Sequence, residues 1–285
     1  MKKILITGKN SYIGTHVKNW LEKETKKYEV TELDVKTEKW LQEDFSKYDI
    51  ILHVAGIAHV STNKKLEDLY YKVNRDLAIQ VARKAKNENV KQFIFMSSMI
   101  IYGDDETIGK DKVINENTIP KPKNFYGNSK LQAEEEIKKL EDTDFKVVII
   151  RTPMVYGPNC KGNFQKLKKI AKYSPIFPNI QNERSMIYID NLCEFIKQAI
   201  DIEKSGIFFP QNKEYVSTKQ IIQVMSDSMN KKMHYIKLFN PILKLMAKKV
   251  NLINKVFGTK IYAKELSGDF NYIVADNDES IRRSI

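Results

Sequence analysis

The chain contains no run approaching the roughly 18 consecutive apolar residues that a membrane-spanning helix requires. Its start, Met-Lys-Lys-Ile-Leu-Ile-Thr-Gly, places only three apolar residues before a polar turn, too few for the core of a secretory leader. Cysteine is scarce. Cys160 and Cys193 lack the spacing of a metal site or a redox pair, which excludes a disulfide framework and predicts no bound metal. Arginine is scarce as well, and no basic stripe interleaved with aromatics, no repeat and no low-complexity stretch is present. Nucleic acid is therefore not an expected partner. These absences predict a soluble, cytoplasmic protein without a transmembrane segment.

The composition, 42% hydrophobic and 29% charged over 285 residues, is that of a folded globular chain. A net charge of +12 is unevenly placed: residues 1–155 carry net +3 and residues 156–285 carry net +9. A positive C-terminal half suits an anionic partner such as a nucleotide diphosphate or an acidic membrane surface, although lysines on helix faces commonly just solvate a surface. Short runs that are apolar throughout predict buried strands at Lys3–Thr7, Tyr28–Leu33, Asp49–Val54, Val90–Met96 and Lys146–Arg151. Between them lie helical patterns after Ile13, over Leu66–Lys86 and over Phe125–Leu140. This alternation predicts an α/β, doubly wound parallel sheet of Rossmann type. Beyond Arg151 several prolines break the pattern. Helices are expected at 190–203, 217–230 and 240–257, in a smaller, mainly helical substrate domain over 156–285. Residues 186–203 are expected to rejoin the first domain, 1–155.

The first strand ends in Thr7-Gly8-Lys9-Asn10-Ser11-Tyr12-Ile13-Gly14 and opens into a helix, the layout of a dinucleotide turn. Gly8 permits a tight reversal, Gly14 permits close packing of helix on strand, and the helix N-terminus offers free N–H groups to a pyrophosphate. Ser11 stands where a middle glycine is usual. Asp34 is the candidate for an adenine-ribose hydroxyl, yet only about 15 residues separate it from Ile50, too few for a full helix–strand–helix unit. Lys9 could instead meet a 2′-phosphate, so NAD and NADP both remain open.

Tyr126 and Lys130, in Tyr126-Gly127-Asn128-Ser129-Lys130, share one face of a predicted helix. A phenol titrating near ~10 is a poor acid or base at neutral pH, but an adjacent ammonium and an oxidised nicotinamide ring favour the phenolate. Ser98 closes the strand before it, at the carboxyl edge where open α/β sheets bind ligands.

These motifs, TGKNSYIG (7–14), HVAG (53–56), YKVNRDL around Asn74, SSMIIYG (97–103), YGNSK (126–130), RTPMVYGP (151–158) and RSMIYIDN (184–191), follow one order. From residue 3 to about 195 the chain resembles the extended short-chain dehydrogenase/reductases, in their NAD-dependent epimerase/dehydratase group. The resemblance implies Tyr126 as acid/base, Lys130 as the residue that binds the nicotinamide ribose and lowers the tyrosine pKa, and Ser98 as hydrogen-bond partner of the reacting sugar oxygen. It implies a cofactor cleft lined by Gly8, Asn10, Ser11, Tyr12, Ile13, Gly14, Val54, Ala55, Gly56 and Ser97, with Asn74 ordering the helix beside it. Arg184 takes the place that in UDP-galactose 4-epimerases grips the diphosphate, and Asn163 in KGNF is a further nucleotide contact. A UDP-sugar substrate and a homodimer are implied too.

Sugar 4,6-dehydratases carry an Asp-Glu pair after the catalytic hydroxyl; here Met99 and Ile100 stand in those places, and neither moves a proton. Chemistry at one sugar carbon remains: 4-epimerisation, or reduction of a 4-keto sugar. HVAGIAHV, GP..KGNF and Phe257-Gly258 resemble a UDP-glucose 4-epimerase-like subgroup, which inclines the reading to epimerase. A nucleotide sensor that has lost its chemistry is the alternative of another class, and the Ser98/Tyr126/Lys130 set argues against it. His53 and His59 lack a ligand partner at metal spacing and read as packing and loop residues. Asn240–Lys260 mixes apolar residues with lysines and reads as a helix capping the substrate domain, in preference to a segment lying on an anionic membrane or a partner helix.

Overall fold

The computed structural model describes residues 1–58, 63–104 and 107–285. Its centre is a six-stranded, wholly parallel sheet. From one edge to the other run β2 (Tyr28–Leu33), β1 (Lys2–Thr7), β3 (Ile50–His53), β4 (Gln92–Ser98), β6 (Lys146–Thr152) and β10 (Gly206–Phe208). Order reverses between β1 and β3, so a crevice opens at the carboxyl ends of those strands, next to the first glycine turn.

Strand side chains alternate between two cores. Ile4, Ile6, Ile50, Leu52, Ile94, Met96, Val148 and Ile150 enter one, and Leu5, Ile51, Phe93, Phe95, Val147 and Ile149 enter the other. Burial on both faces is why these strands read as continuous apolar runs, and each such side chain contributes about 1.5–3 kcal/mol. Helix α1 (Tyr12–Leu21) and helix α6 (Ile189–Asp201) lie together on the first face, tied by Trp20 Nε1 donating to Glu194 at 3.0 Å. On the second face lie α3 (Ala78–Asn87) and α4 (Phe125–Lys138). Before α3 the helix starts as α2 (Glu67–Tyr70) and widens into a π-helical stretch over Tyr71–Leu77.

The shortened connection after Asp34 has a specific substitute. Instead of a helix, residues 34–49 make one 3₁₀ turn over Glu38–Gln42. From it Trp40 and Phe45 press against the face that Leu5 and Ile51 present, so two aromatic side chains cover what a helix would otherwise cover.

Past residue 152 the chain builds more strands than its sequence suggested. β7 (Met154–Tyr156) pairs with β9 (Met186–Tyr188), and β8 (Ile176–Pro178) with β11 (His234–Ile236). β5 (Asp111–Ile114) pairs with β12 (Thr259–Tyr262). At three or four residues each, these are too short to show a period. Helices α5 (Asn163–Tyr173), α7 (Thr218–Ser228) and α10 (Asn277–Arg283) complete this half. Of these, α7 matches the helix expected at 217–230, whereas α5 and α10 were not anticipated. The single helix expected over 240–257 is two, α8 (Asn240–Ala247) and α9 (Asn251–Phe257). Val250 between them is extended, and Asn254 donates to the Ala247 carbonyl at 2.8 Å, satisfying the end of α8. No helix among the described residues is long and apolar enough to cross a membrane.

Candidate active site

At the first turn, Gly8 adopts φ +116°, a conformation that favours glycine. A Cβ there would come within 2.8 Å of the Ala55 nitrogen, because Val54 and Ala55 both donate to the Thr7 carbonyl (3.1 and 3.0 Å) and fold the HVAG segment onto the turn. Ser11 caps α1: its hydroxyl accepts from Gly14 N–H at 3.2 Å, which leaves the hydroxyl proton to donate outward. Tyr12 and Ile13 form the first turn of α1, and the Tyr12 hydroxyl is buried without a hydrogen-bond partner. Asn10 has φ +61° and donates its N–H to Glu32 on β2 at 3.3 Å. Asp34 is exposed and directly follows Leu33, whose carbonyl accepts from Gly8 and Lys9; its carboxylate accepts from Lys36 N–H at 2.9 Å. A glycine that must stay bare and the N-terminus of α1 directly after it fit the phosphates of a dinucleotide, whereas the Tyr12 hydroxyl lies against Gly157 on the core side.

Asn74 sits in the π-helical stretch, fully buried. It accepts from Ile57 N–H at 2.7 Å and donates to the Ile57 carbonyl at 3.0 Å, so both edges of one amide hold the loop after Gly56. Gly56 itself lies beside the Lys130 ammonium, which a Cβ there would approach to 3.3 Å. Lys130 donates to the Met96 carbonyl at 2.8 Å and lies 4.6 Å over the Phe95 ring. Burial pushes it down to about 8, against the opposing pull of Glu134 one turn along.

Tyr126 opens α4 behind the cap made by Asn124, whose side chain accepts from Gly127 N–H at 3.0 Å. Its ring meets Tyr70 edge-on at 5.8 Å, and Ser98 at the end of β4 is the polar side chain that acts on its hydroxyl. Burial pushes this phenol above its ordinary value, Ser98 opposes that, and Tyr70 adds to it. The lowering expected from Lys130 is thus not what this form of the site has. The phenol is desolvated, while the ammonium is engaged by the Met96 carbonyl.

Ser97 faces away from Ser98. Its hydroxyl donates to Glu134, which also holds Arg151 through Nη2 at 2.7 Å and Nε at 3.1 Å; Arg151 Nη1 in turn donates to the Tyr102 hydroxyl at 2.6 Å. Sequence reasoning passed over this buried Glu134–Arg151 pair, although Tyr126, Lys130 and Glu134 continue one i, i+4 row. His53 is fully buried between Phe93 and Phe95 and shares a 2.7 Å hydrogen bond with Thr7. Burial, with Lys130 adding to it, brings His53 down to about 3, so the ring is neutral. His59 lies outside the described residues, and these form no cluster suited to a metal ion.

Asn163 and Arg184 meet in a second cleft of about 150 Å³, together with Met154, Lys166, Thr218 and Lys255. Asn163 is the first residue of α5, after Gly162, and Arg184 donates to the Gly258 carbonyl at 3.2 Å. Backbone pairing of Arg184 with Val216 and Lys260 fixes its place. From there β12 runs back to the first half, where Lys260 donates to the Gly103 carbonyl at 2.5 Å and Tyr262 to the Arg151 carbonyl at 2.9 Å. The arginine segment is thereby tied to the strand end that carries Ser98.

The chain is 31% identical over 255 residues to the UDP-glucose 4-epimerase of Vibrio cholerae, which covers 81% of this chain and 76% of that one. It is 27% identical over 277 residues to the N-acetyl-alpha-D-glucosaminyl-diphospho-ditrans,octacis-undecaprenol 4-epimerase of Escherichia coli O157:H7, covering 90% of this chain and 81% of that one. Its fold is similar to the crystal structure of UDP-glucuronic acid 4-epimerase from Bacillus cereus in complex with NAD. There the TM-score is 0.75 at 20% identity, covering 99% of this chain and 97% of the other. Residues 4–209 match the NAD dependent epimerase/dehydratase family, and the chain belongs to that family.

Proposed function

We propose that the protein is a UDP-sugar 4-epimerase using NAD or NADP. The observation that supports this reading is the gathering of Ser98, Tyr126 and Lys130 at the carboxyl edge of the sheet, across the crevice from the Gly8–Gly14 turn, with Met99 and Ile100 where a dehydratase needs acids. Bound against the turn, a nicotinamide dinucleotide supplies the two-electron acceptor and donor for the sugar. Ser98 hydrogen-bonds the C4 oxygen, and Tyr126 takes the hydroxyl proton as C4 becomes a ketone, then returns it after the sugar has presented its other face. Lys130, beside Gly56, would hold the nicotinamide ribose, and its charge would favour the phenolate. Arg184, with Asn163 and Lys255 in the same cleft, holds the diphosphate through charge-assisted hydrogen bonds. Gly8, Asn10, Ser11, Tyr12, Ile13 and Gly14 would hold the pyrophosphate, Asp34 would meet the adenine ribose, and Val54, Ala55 and Gly56 would line the opposite wall.

The same three side chains would serve reduction of a UDP-4-keto sugar by exchangeable NADPH, the second half of the epimerase cycle. Mass spectrometry of small molecules released from purified protein separates the two. Epimerase predicts tightly held NAD; protein that emerges empty and takes up NADPH points to the reductase. Failure to bind either dinucleotide overturns both.

A further inference from the structure

The segment from Lys237 to Val250 presents a face that the fold leaves uncovered. In α8, Leu243 and Ala247 turn inward, four residues apart, and pack against the core. The other face carries Ile242, Leu245 and Met246, which are 57%, 68% and 46% exposed; Leu238, before the helix, is 76% exposed. A soluble surface normally spaces such residues singly, and here they are contiguous. Lys237, Lys244, Lys248 and Lys249 are exposed around them. Between Ser228 and Lys264 the chain has nine lysines and no aspartate or glutamate. A protein-facing patch would draw on both charge signs, whereas apolar side chains ringed only by cations match lipid tails under anionic headgroups.

We infer that α8 and its flanks dock this protein on the surface of an anionic lipid bilayer. Ile242, Leu245 and Met246 enter the headgroup–acyl boundary, and the lysines meet lipid phosphates. Neighbouring α9 contributes Lys255 and Val256 to the cleft of Arg184 and Asn163, so docking holds a wall of that cleft at the membrane. The inference concerns a face apart from Ser98, Tyr126 and Lys130 and stands independently of the reaction assigned to them.

The test is co-sedimentation of the full chain with vesicles of phosphatidylglycerol and phosphatidylcholine in equal parts, and with phosphatidylcholine alone. The chain is expected to pellet with the anionic vesicles only, and to be released by raised salt. Two variants follow: Leu245→Ser with Met246→Ser, and Lys244→Glu with Lys248→Glu. All four residues are exposed, so the fold should persist, checked by an unchanged melting curve. Both variants are expected to lose most vesicle binding while retaining dinucleotide binding in solution. Wild-type protein that stays in the supernatant with both vesicle types overturns the inference, as does undiminished binding by both variants. A dimer that dissociates in Leu245→Ser/Met246→Ser, without vesicle binding by the wild type, would assign the face to a second copy and overturn it equally.

Discussion

The two clefts are built differently. Around Ser98, Tyr126 and Lys130, each functional group is held by buried neighbours: an amide with both edges used, a lysine bound to a strand carbonyl, an ion pair beneath the strand end. Around Asn163 and Arg184, the polar groups sit on a helix start and a bridge residue, half-exposed, and converge from α5, the 184–186 segment and α9. The first arrangement suits chemistry, where a proton must move between groups that do not shift; the second gathers an arginine and two lysines, which favour an anionic ligand. Substitutions in the first should therefore act on turnover or stability, and in the second on substrate affinity.

The largest effect is expected from Tyr126→Phe. Removing the proposed acid/base should lower kcat by about 10²–10⁴-fold, with dinucleotide binding and melting temperature retained. Steady-state kinetics beside a thermal melt check this, and a loss expressed in KM alone would break the contrast. Next is Glu134→Ala, which leaves Arg151 charged and unpaired in the core and should cost about 3–5 kcal/mol of stability, read by urea unfolding.

Acid sensitivity sharpens the same contrast. His53 is held neutral in the fold down to about pH 3, whereas in the unfolded chain it takes up a proton below about 6.5. Its contribution is complete above the unfolded value and is lost as pH falls toward 3, by an amount on the order of 4 kcal/mol. His53→Phe, placed between Phe93 and Phe95, should flatten the stability curve across that window. Smaller still is Arg184→Ala, expected to raise KM for a UDP-sugar about ten- to a hundredfold with little change in kcat, the loss of one charge-assisted contact.

The N-terminal half was legible because its logic is local. Gly8, the apolar strands and the Tyr126–Lys130 spacing each state their structural role within a few residues. The missing helix after Asp34 showed as a short interval, but the role of Trp40 and Phe45 in covering the gap needed the tertiary packing. Glu134–Arg151 stayed hidden for a related reason: on its own helix Glu134 looks like a surface acid, and only the arrival of Arg151 from β6 makes it internal. In the C-terminal half, strands of three or four residues carry no period, so pairs such as Ile176–Pro178 with His234–Ile236 were beyond sequence patterning. The break between α8 and α9 depends on one asparagine reaching back to a carbonyl.

The central claim, that the Ser98–Tyr126–Lys130 edge inverts a sugar alcohol at C4, is tested most directly by incubating purified protein with UDP-glucose and following the anomeric and C4 protons by NMR. The account predicts conversion to UDP-galactose at constant mass and without added reductant, abolished in Tyr126→Phe. Conversion that persists undiminished in that variant, or UDP-glucose left untouched while a UDP-4-keto sugar is consumed with NADPH, would contradict it.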